Sequence, residues 1–69
     1  MRILIVDDEP GIRKTTRIAI ETAGHVGLEA PNSARALKLV EEDQFDVAFV
    51  DLKLGNEDGL ELLGKLVKA

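Results

Sequence analysis

The sequence predicts an α/β domain built on a parallel sheet, and three observations carry that reading. Two continuous four-residue apolar runs, 3–6 and 47–50, read as strands covered by helices on both faces, and each is followed by aspartate. Helical patterns of ten or so residues follow the strand patterns. The resulting order, βαβαβα in 69 residues, implies parallel strands joined by right-handed crossovers.

The first strand is "RILIVD", apolar at consecutive positions rather than at alternate ones. A helix is predicted from about residue 10 to 23: Pro10 suits a first helical turn, Ile12, Thr16, Ala19 and Ala23 follow helical spacing, and Gly24 supplies a stop. The second strand is the short "VGLEA" at 26–30. Ser33 is the expected N-cap of a second helix running to about residue 43, with Ala36, Leu37 and Val40 on its inner face. The third strand lies within "DVAFVD". A loop containing Gly55 and Gly59 leads to a third helix, "LELLGKLVK", with Leu60, Leu63, Leu66 and Val67 as its expected apolar stripe and Gly64 as a weak point.

Composition narrows the function classes. A chain of this length forms one small domain, and folding buries only about 60% of the surface its unfolded state exposes. The absence of cysteine excludes disulfides and thiolate metal sites and fits a reducing compartment. The apolar runs are far shorter than the roughly 20 residues of a membrane span, and the N-terminus enters a strand pattern directly, so a soluble cytoplasmic protein is expected. A net charge of -4 argues against a sequence-independent grip on nucleic acid. Glu41, Glu42 and Asp43, at the end of a helix pattern, are expected on a solvated face. No repeat or linker composition divides the chain.

The acidic residues that carry chemistry are those at strand ends. In a parallel sheet the carboxyl ends of neighbouring strands lie on one edge about 4.8 Å apart, so Asp7, Asp8 and Asp51 are expected to converge. Two ionised carboxylates about 5 Å apart repel by roughly 3 kcal/mol at an effective dielectric of 20, so such a group calls for a cation or for a raised pKa. A hard divalent ion such as magnesium, completed by water and phosphate oxygens, suits it. Surface charge without a ligand is the competing reading of these residues alone.

"ILIVDDEP", followed by "DVAFVDLKLGNEDGLELL", closely resembles the receiver domain of two-component response regulators, over essentially the whole chain. The segment "DLKLGNEDGLELL" looks most like receivers of the alternative-sigma-factor activator branch. The resemblance implies a flavodoxin-like sheet in strand order 2-1-3. It implies that Asp51 is a phosphoacceptor nucleophile receiving a phosphoryl group from a histidine kinase, and that the protein is not an enzyme in its own right. It further implies a Mg2+ site in which Asp8 is a direct ligand, Asp7 acts mostly through metal-bound water, Asp51 contributes its carboxylate and Lys53 its backbone carbonyl. Phosphoryl transfer depends on positioning and charge neutralisation, which a magnesium ion beside the nucleophile provides. Ligands in open α/β sheets bind beyond the carboxyl ends of strands where the order reverses, a rule drawn in part from a chemotaxis receiver and so not independent support.

By the same resemblance residues 1–69 correspond to the N-terminal three of five βα units. The family's serine or threonine at the end of its fourth sheet strand, and its lysine at the end of the fifth, have no counterpart. Thr15, Thr16 and Thr22 fall on the first helix and Lys65 and Lys68 on the third, so none is a replacement. Gly55 stands where a proline is common, which loosens the loop around Lys53. The Lys53 side chain and His25 are read as surface residues, and Glu9 as a helix-start charge favoured by the dipole. The strand at 47–50 is left as an open apolar edge, from which a homodimer through the strand-3 side is expected.

Two functions therefore compete: a phosphoreceiver, and a self-associating binding or assembly module that does not signal by phosphate. An aspartate-nucleophile phosphatase would want an acid where Lys53 stands. A dinucleotide binder would need glycines where "DDEPG" follows the first strand.

Overall fold

The structure, a computed structural model, describes the backbone of residues 1–51, 53–54 and 57–68 and the side chains of residues 1–51 and 59–67. Its elements are β1 (Arg2–Val6), α1 (Pro10–Thr22), β2 (Val26–Ala30), α2 (Ser33–Glu42), β3 (Val47–Val50), β4 (Lys53–Leu54), β5 (Glu57–Asp58) and α3 (Gly59–Lys68). β1 lies between β2 and β3, parallel to both, so the sheet order is 2-1-3 as expected. Arg2 to Val6 pair in step with Val26 to Ala30, and Ile3 to Val6 with Val47 to Val50. This is the fold class read from the sequence. No helix among the described residues is long and apolar enough to cross a membrane.

Because β1 is central and covered on both faces, all four of its apolar residues from Ile3 to Val6 are buried. Leu4 and Val6 join Ala30, Ala36, Leu39 and Leu62 in one core, under α2 and α3. Ile3 and Ile5 pack with Ile20 of α1 on the opposite face. Close approach of α1 depends on Gly27 of β2: a Cβ there would stand 3.1 Å from Cγ of Arg17 and 3.4 Å from Cδ1 of Ile5. The chain leaves α1 through Gly24 at φ 90, a conformation L side chains rarely adopt.

Several local expectations need correction. The buried face of α1 is out of phase with the expected stripe: Ile20 is its buried residue, Arg13, Thr16 and Arg17 flank it half-buried, and Ile12, Ala19 and Ala23 are exposed. The reason is that the long stems of Arg13 and Arg17 lie against β2, where an apolar stripe would have put aliphatic side chains. Asn32, not Ser33, caps α2: its side-chain oxygen accepts from the Arg35 amide at 2.9 Å, and Ser33 is the first helical residue. Leu39 joins Ala36 as the buried pair of α2, with Leu37 and Val40 packed beside them. In α3 the inward residue is Leu62, 2% exposed, with Leu66 one turn later; Leu60, Leu63 and Val67 face outward. The expected loop before α3 contains a two-residue antiparallel pairing, Lys53 with Asp58 and Leu54 with Glu57.

At the edge of the sheet where the strands begin, Arg2 ties β1 to the connection between α2 and β3. Its amide donates to Asp46 Oδ2 at 2.8 Å, its Nε donates to the Gln44 carbonyl at 3.2 Å, and its guanidinium pairs with Asp43 and sits over the Phe45 ring. Asp43 is thus an ion-pair partner and not merely part of a solvated acidic face.

Candidate functional site

The ladder of the sheet places the acidic residues. The Asp51 amide donates to the Val6 carbonyl at 2.9 Å, which continues the β1–β3 pairing one residue past the end of β3. The Asp7 amide donates to the Ala30 carbonyl at 3.2 Å, which does the same for β1 on β2. Both aspartates therefore leave the sheet from its carboxyl edge, on adjacent strands. One carboxylate oxygen from each of Asp7, Asp8 and Asp51 lies within 4.8 Å of the others. The expected convergence is met for these three side chains.

Local hydrogen bonds hold the turn after β1. Asp7 Oδ1 accepts from the Glu9 amide at 2.9 Å, a turn of the kind aspartate favours, and Glu9 in turn caps α1 by accepting from the Gly11 amide at 3.4 Å. Glu9 is thus the helix-start acid expected. Asp8 is exposed, while Asp7 is half-buried. Ile5, Val6, Thr16, Phe49 and Val50 form an apolar flank to Asp7 and Asp51 around an open recess of about 360 Å³. Three clustered hard oxygen donors, two of them from residues that line the recess, are chemically suited to magnesium with water or phosphate oxygens completing its shell.

Of the remaining sequence-predicted residues, Lys53 lies in β4, two positions after Asp51. The side chains of Lys53 and Lys68, and Gly55 as a whole, lie outside the described residues. The hydroxyls of Thr15, Thr16 and Thr22 donate to carbonyls one turn back in α1, at 2.9, 2.9 and 2.8 Å, and of the three Thr16 lines the recess beside Asp7 and Asp51. Lys65 pairs with Glu61 on its own helix at 3.7 Å. His25 has a partner that the sequence did not suggest: Nδ1 lies 2.9 Å from the terminal amine of Met1.

The sequence reading also passed over a group of charges behind the site. Arg13 Nη1 donates to the Asp7 carbonyl at 2.8 Å, and Arg13 Nε donates to Glu29 Oε1 at 2.9 Å. Arg17 Nε stands 3.0 Å from Glu29 Oε2, at ion-pair distance but without hydrogen-bond alignment. The available signal was a lone acid inside an apolar strand, "LEA", together with two arginines four apart on the helix before it.

Comparison with known proteins agrees with this geometry. The family model described as the response regulator receiver domain matches residues 3–69. The chain is 40% identical over 65 residues to the alginate biosynthesis transcriptional regulatory protein AlgB of Pseudomonas putida, covering 94% of this chain and 14% of AlgB. A receiver domain protein (CheY-like) from Methanospirillum hungatei superposes with a TM-score of 0.92 at 37% identity, over 97% of this chain and 54% of that one. Response regulator TrrA of Thermotoga maritima, crystallised with Mg(2+)-BeF, gives 0.90 at 34% identity, over 97% and 58%. TrrA has also been crystallised in complex with the histidine kinase ThkA. The chain thus spans less than two thirds of the length of these relatives.

Proposed function

The chain belongs to the response regulator receiver domain family, and from that premise we propose that it accepts a phosphoryl group on Asp51 from the phosphohistidine of a histidine kinase. The observation that carries the proposal is the meeting of Asp7, Asp8 and Asp51 oxygens within 4.8 Å at the carboxyl edge of the sheet. Asp51 takes the nucleophile's role on this reading because it stands at the family's phosphoacceptor position; its place at the end of β3, with its backbone held on Val6 and its side chain beside the recess, supports that role. One carboxylate oxygen forms the new bond to phosphorus while the bond from phosphorus to the kinase imidazole breaks. The protein is on this reading a phosphoacceptor and not a turnover enzyme.

Asp8 and Asp51 would hold Mg2+ directly, Asp7 through bound water, and the Lys53 backbone carbonyl would complete the protein's share. When bound, the ion neutralises charge on the nucleophile and on the phosphoryl oxygens. The chain's own part is to fix three carboxylates on adjacent strand ends. The recognition of TrrA by ThkA supports a histidine kinase as donor, and the TrrA complex with Mg(2+)-BeF supports magnesium. We further propose that residues 1–69 act as the N-terminal part of a receiver domain in the cytoplasm. The exposed edge of β3 favours a second reading, in which copies associate through the strand-3 side.

The test is phosphorylation of the 69-residue chain by a small phosphodonor with Mg2+, read by intact-protein and peptide mass spectrometry. Labelling is expected on Asp51, lost in Asp51→Asn. Without the family's two further phosphoryl contacts, and with one such preorganised donor worth roughly 2.7 to 4 kcal/mol, labelling should be at least about 100-fold slower than in a five-unit receiver. Labelling elsewhere would overturn the assignment of Asp51, and labelling of Asp51 at a rate equal to that of a five-unit receiver would overturn the expected slowing.

A further inference from the structure

The acidic edge is tied to the sheet through its backbone as well as through its strands. The peptide group linking Asp7 to Asp8 sets the direction in which the two carboxylates leave the chain, and its carbonyl accepts from Arg13 Nη1 at 2.8 Å. The same guanidinium is fixed from behind by Glu29 Oε1 at 2.9 Å. Arg13 and Glu29 are well shielded, with 16% and 24% of their side chains exposed, so water competes little for this contact. β2 therefore grips Asp7 twice: at the amide, through the Ala30 carbonyl, and at the carbonyl, through Glu29 and Arg13. Arg17, on the next turn of α1, pairs with the other oxygen of Glu29, while the hydrogen bond to the Asp7 carbonyl comes from Arg13.

We infer that Arg13 is a positioning residue for the Asp7–Asp8 pair: its guanidinium, oriented by Glu29, holds the Asp7 carbonyl so that both carboxylates face the cation site. This rests on the receiver reading for the identity of the cation, but the backbone restraint is independent of any ion. Only a planar fork reaches both partners from one side chain, which a lysine ammonium does not reproduce.

The inference can be told apart from a simple charge effect, because the two predict opposite signs. Removing a cation near three carboxylates would, by Coulomb attraction alone, tighten binding of a divalent ion. Loss of positioning would weaken it, and loss of an outer-shell partner lowers metal affinity by about tenfold or more. The experiment is an NMR titration of the 69-residue chain with MgCl2, following the Asp8 and Asp51 amides, with hydrogen exchange at the Asp7 and Glu9 amides measured before metal is added.

Arg13→Gln should raise the Mg2+ dissociation constant about tenfold and speed metal-free exchange at both amides, with Arg13→Lys only partly restoring either. Arg17→Gln should leave exchange at both amides within error of the parent. Unchanged or tighter magnesium binding in Arg13→Gln would overturn the inference, as would unaltered exchange at Asp7 and Glu9. If Arg13→Gln does not fold, Arg13→Lys, which keeps charge and stem, decides by the same two readouts. If the parent itself shows no magnesium-dependent shift, the cation reading fails while the exchange data still judge the restraint on Asp7.

Discussion

At the scale of single residues, the site rests on three carboxylates whose mutual repulsion opposes their convergence and whose shared oxygens favour a hard cation. Asp8 is the most exposed of the turn's two aspartates, so replacing it should alter ligation without disturbing the core. Asp8→Asn is expected to abolish saturable Mg2+ binding, and isothermal titration calorimetry that returns the parent's affinity would refute the role given to Asp8. A second residue-scale prediction concerns the cap of α2. Asn32 satisfies the Arg35 amide at 2.9 Å, so Asn32→Ala should lower stability by about 1 kcal/mol in urea unfolding. An unchanged midpoint would mean that the cap is not held in solution. Reading Ser33 as the cap misplaced this role by one residue, because asparagine and serine are both good caps and adjacent, and the sequence has no second signal between them.

At the scale of elements, the legibility of the sequence followed how many neighbours decide a residue's environment. β1 was readable because a run of four branched residues is buried whichever way it faces, and the aspartates were readable because strand ends fix their edge. The helix faces were not. In α3 leucine or valine occurs at 60, 62, 63, 66 and 67, which surrounds much of the helix with candidates. Packing on Leu4, Val6, Ala36 and Leu39 selects Leu62, and that choice lies in the tertiary structure alone. Leu62→Ala should therefore cost about 2 to 5 kcal/mol, whereas Val67→Ala, at a position 80% exposed, should change stability by less than about 0.5 kcal/mol. Equal effects in thermal unfolding would restore the stripe through Leu60, Leu63 and Val67. The β4–β5 pairing was illegible for a different reason: two residues per strand are too few to show alternation. The link from Glu29 through Arg13 to Asp7 joins three elements, which local periodicity cannot reveal.

At the scale of the whole molecule, the sheet is finished on one side only in the sense of burial. β3 is hydrogen-bonded to β1 and forms the edge of the three-stranded sheet, yet its sequence is apolar throughout and Phe49 is 51% exposed. Recesses of mixed polar and apolar lining adjoin it, one of about 360 Å³ beside Phe49, Val50 and Asp51, the other of about 560 Å³ beside Ala48, Phe45 and Asp46. An edge of this kind is a template for pairing, and within 47–50 no proline, glycine or lysine blunts it. For the 69-residue chain by itself, a second copy is the expected occupant: across a two-fold axis each β3 would offer the other the same edge and the same apolar residues, giving an antiparallel junction and a six-stranded sheet. Charge opposes this at long range, since each copy carries -4. Salt screens that repulsion while leaving apolar burial in force, so association should strengthen as ionic strength rises. Light scattering across a concentration series, at low and high salt, is expected to show a dimer favoured by salt, and Phe49→Lys should return it to monomer. A folded monomer at every concentration and salt level would exclude β3 pairing, and a dimer that survives Phe49→Lys would place the contact on another surface.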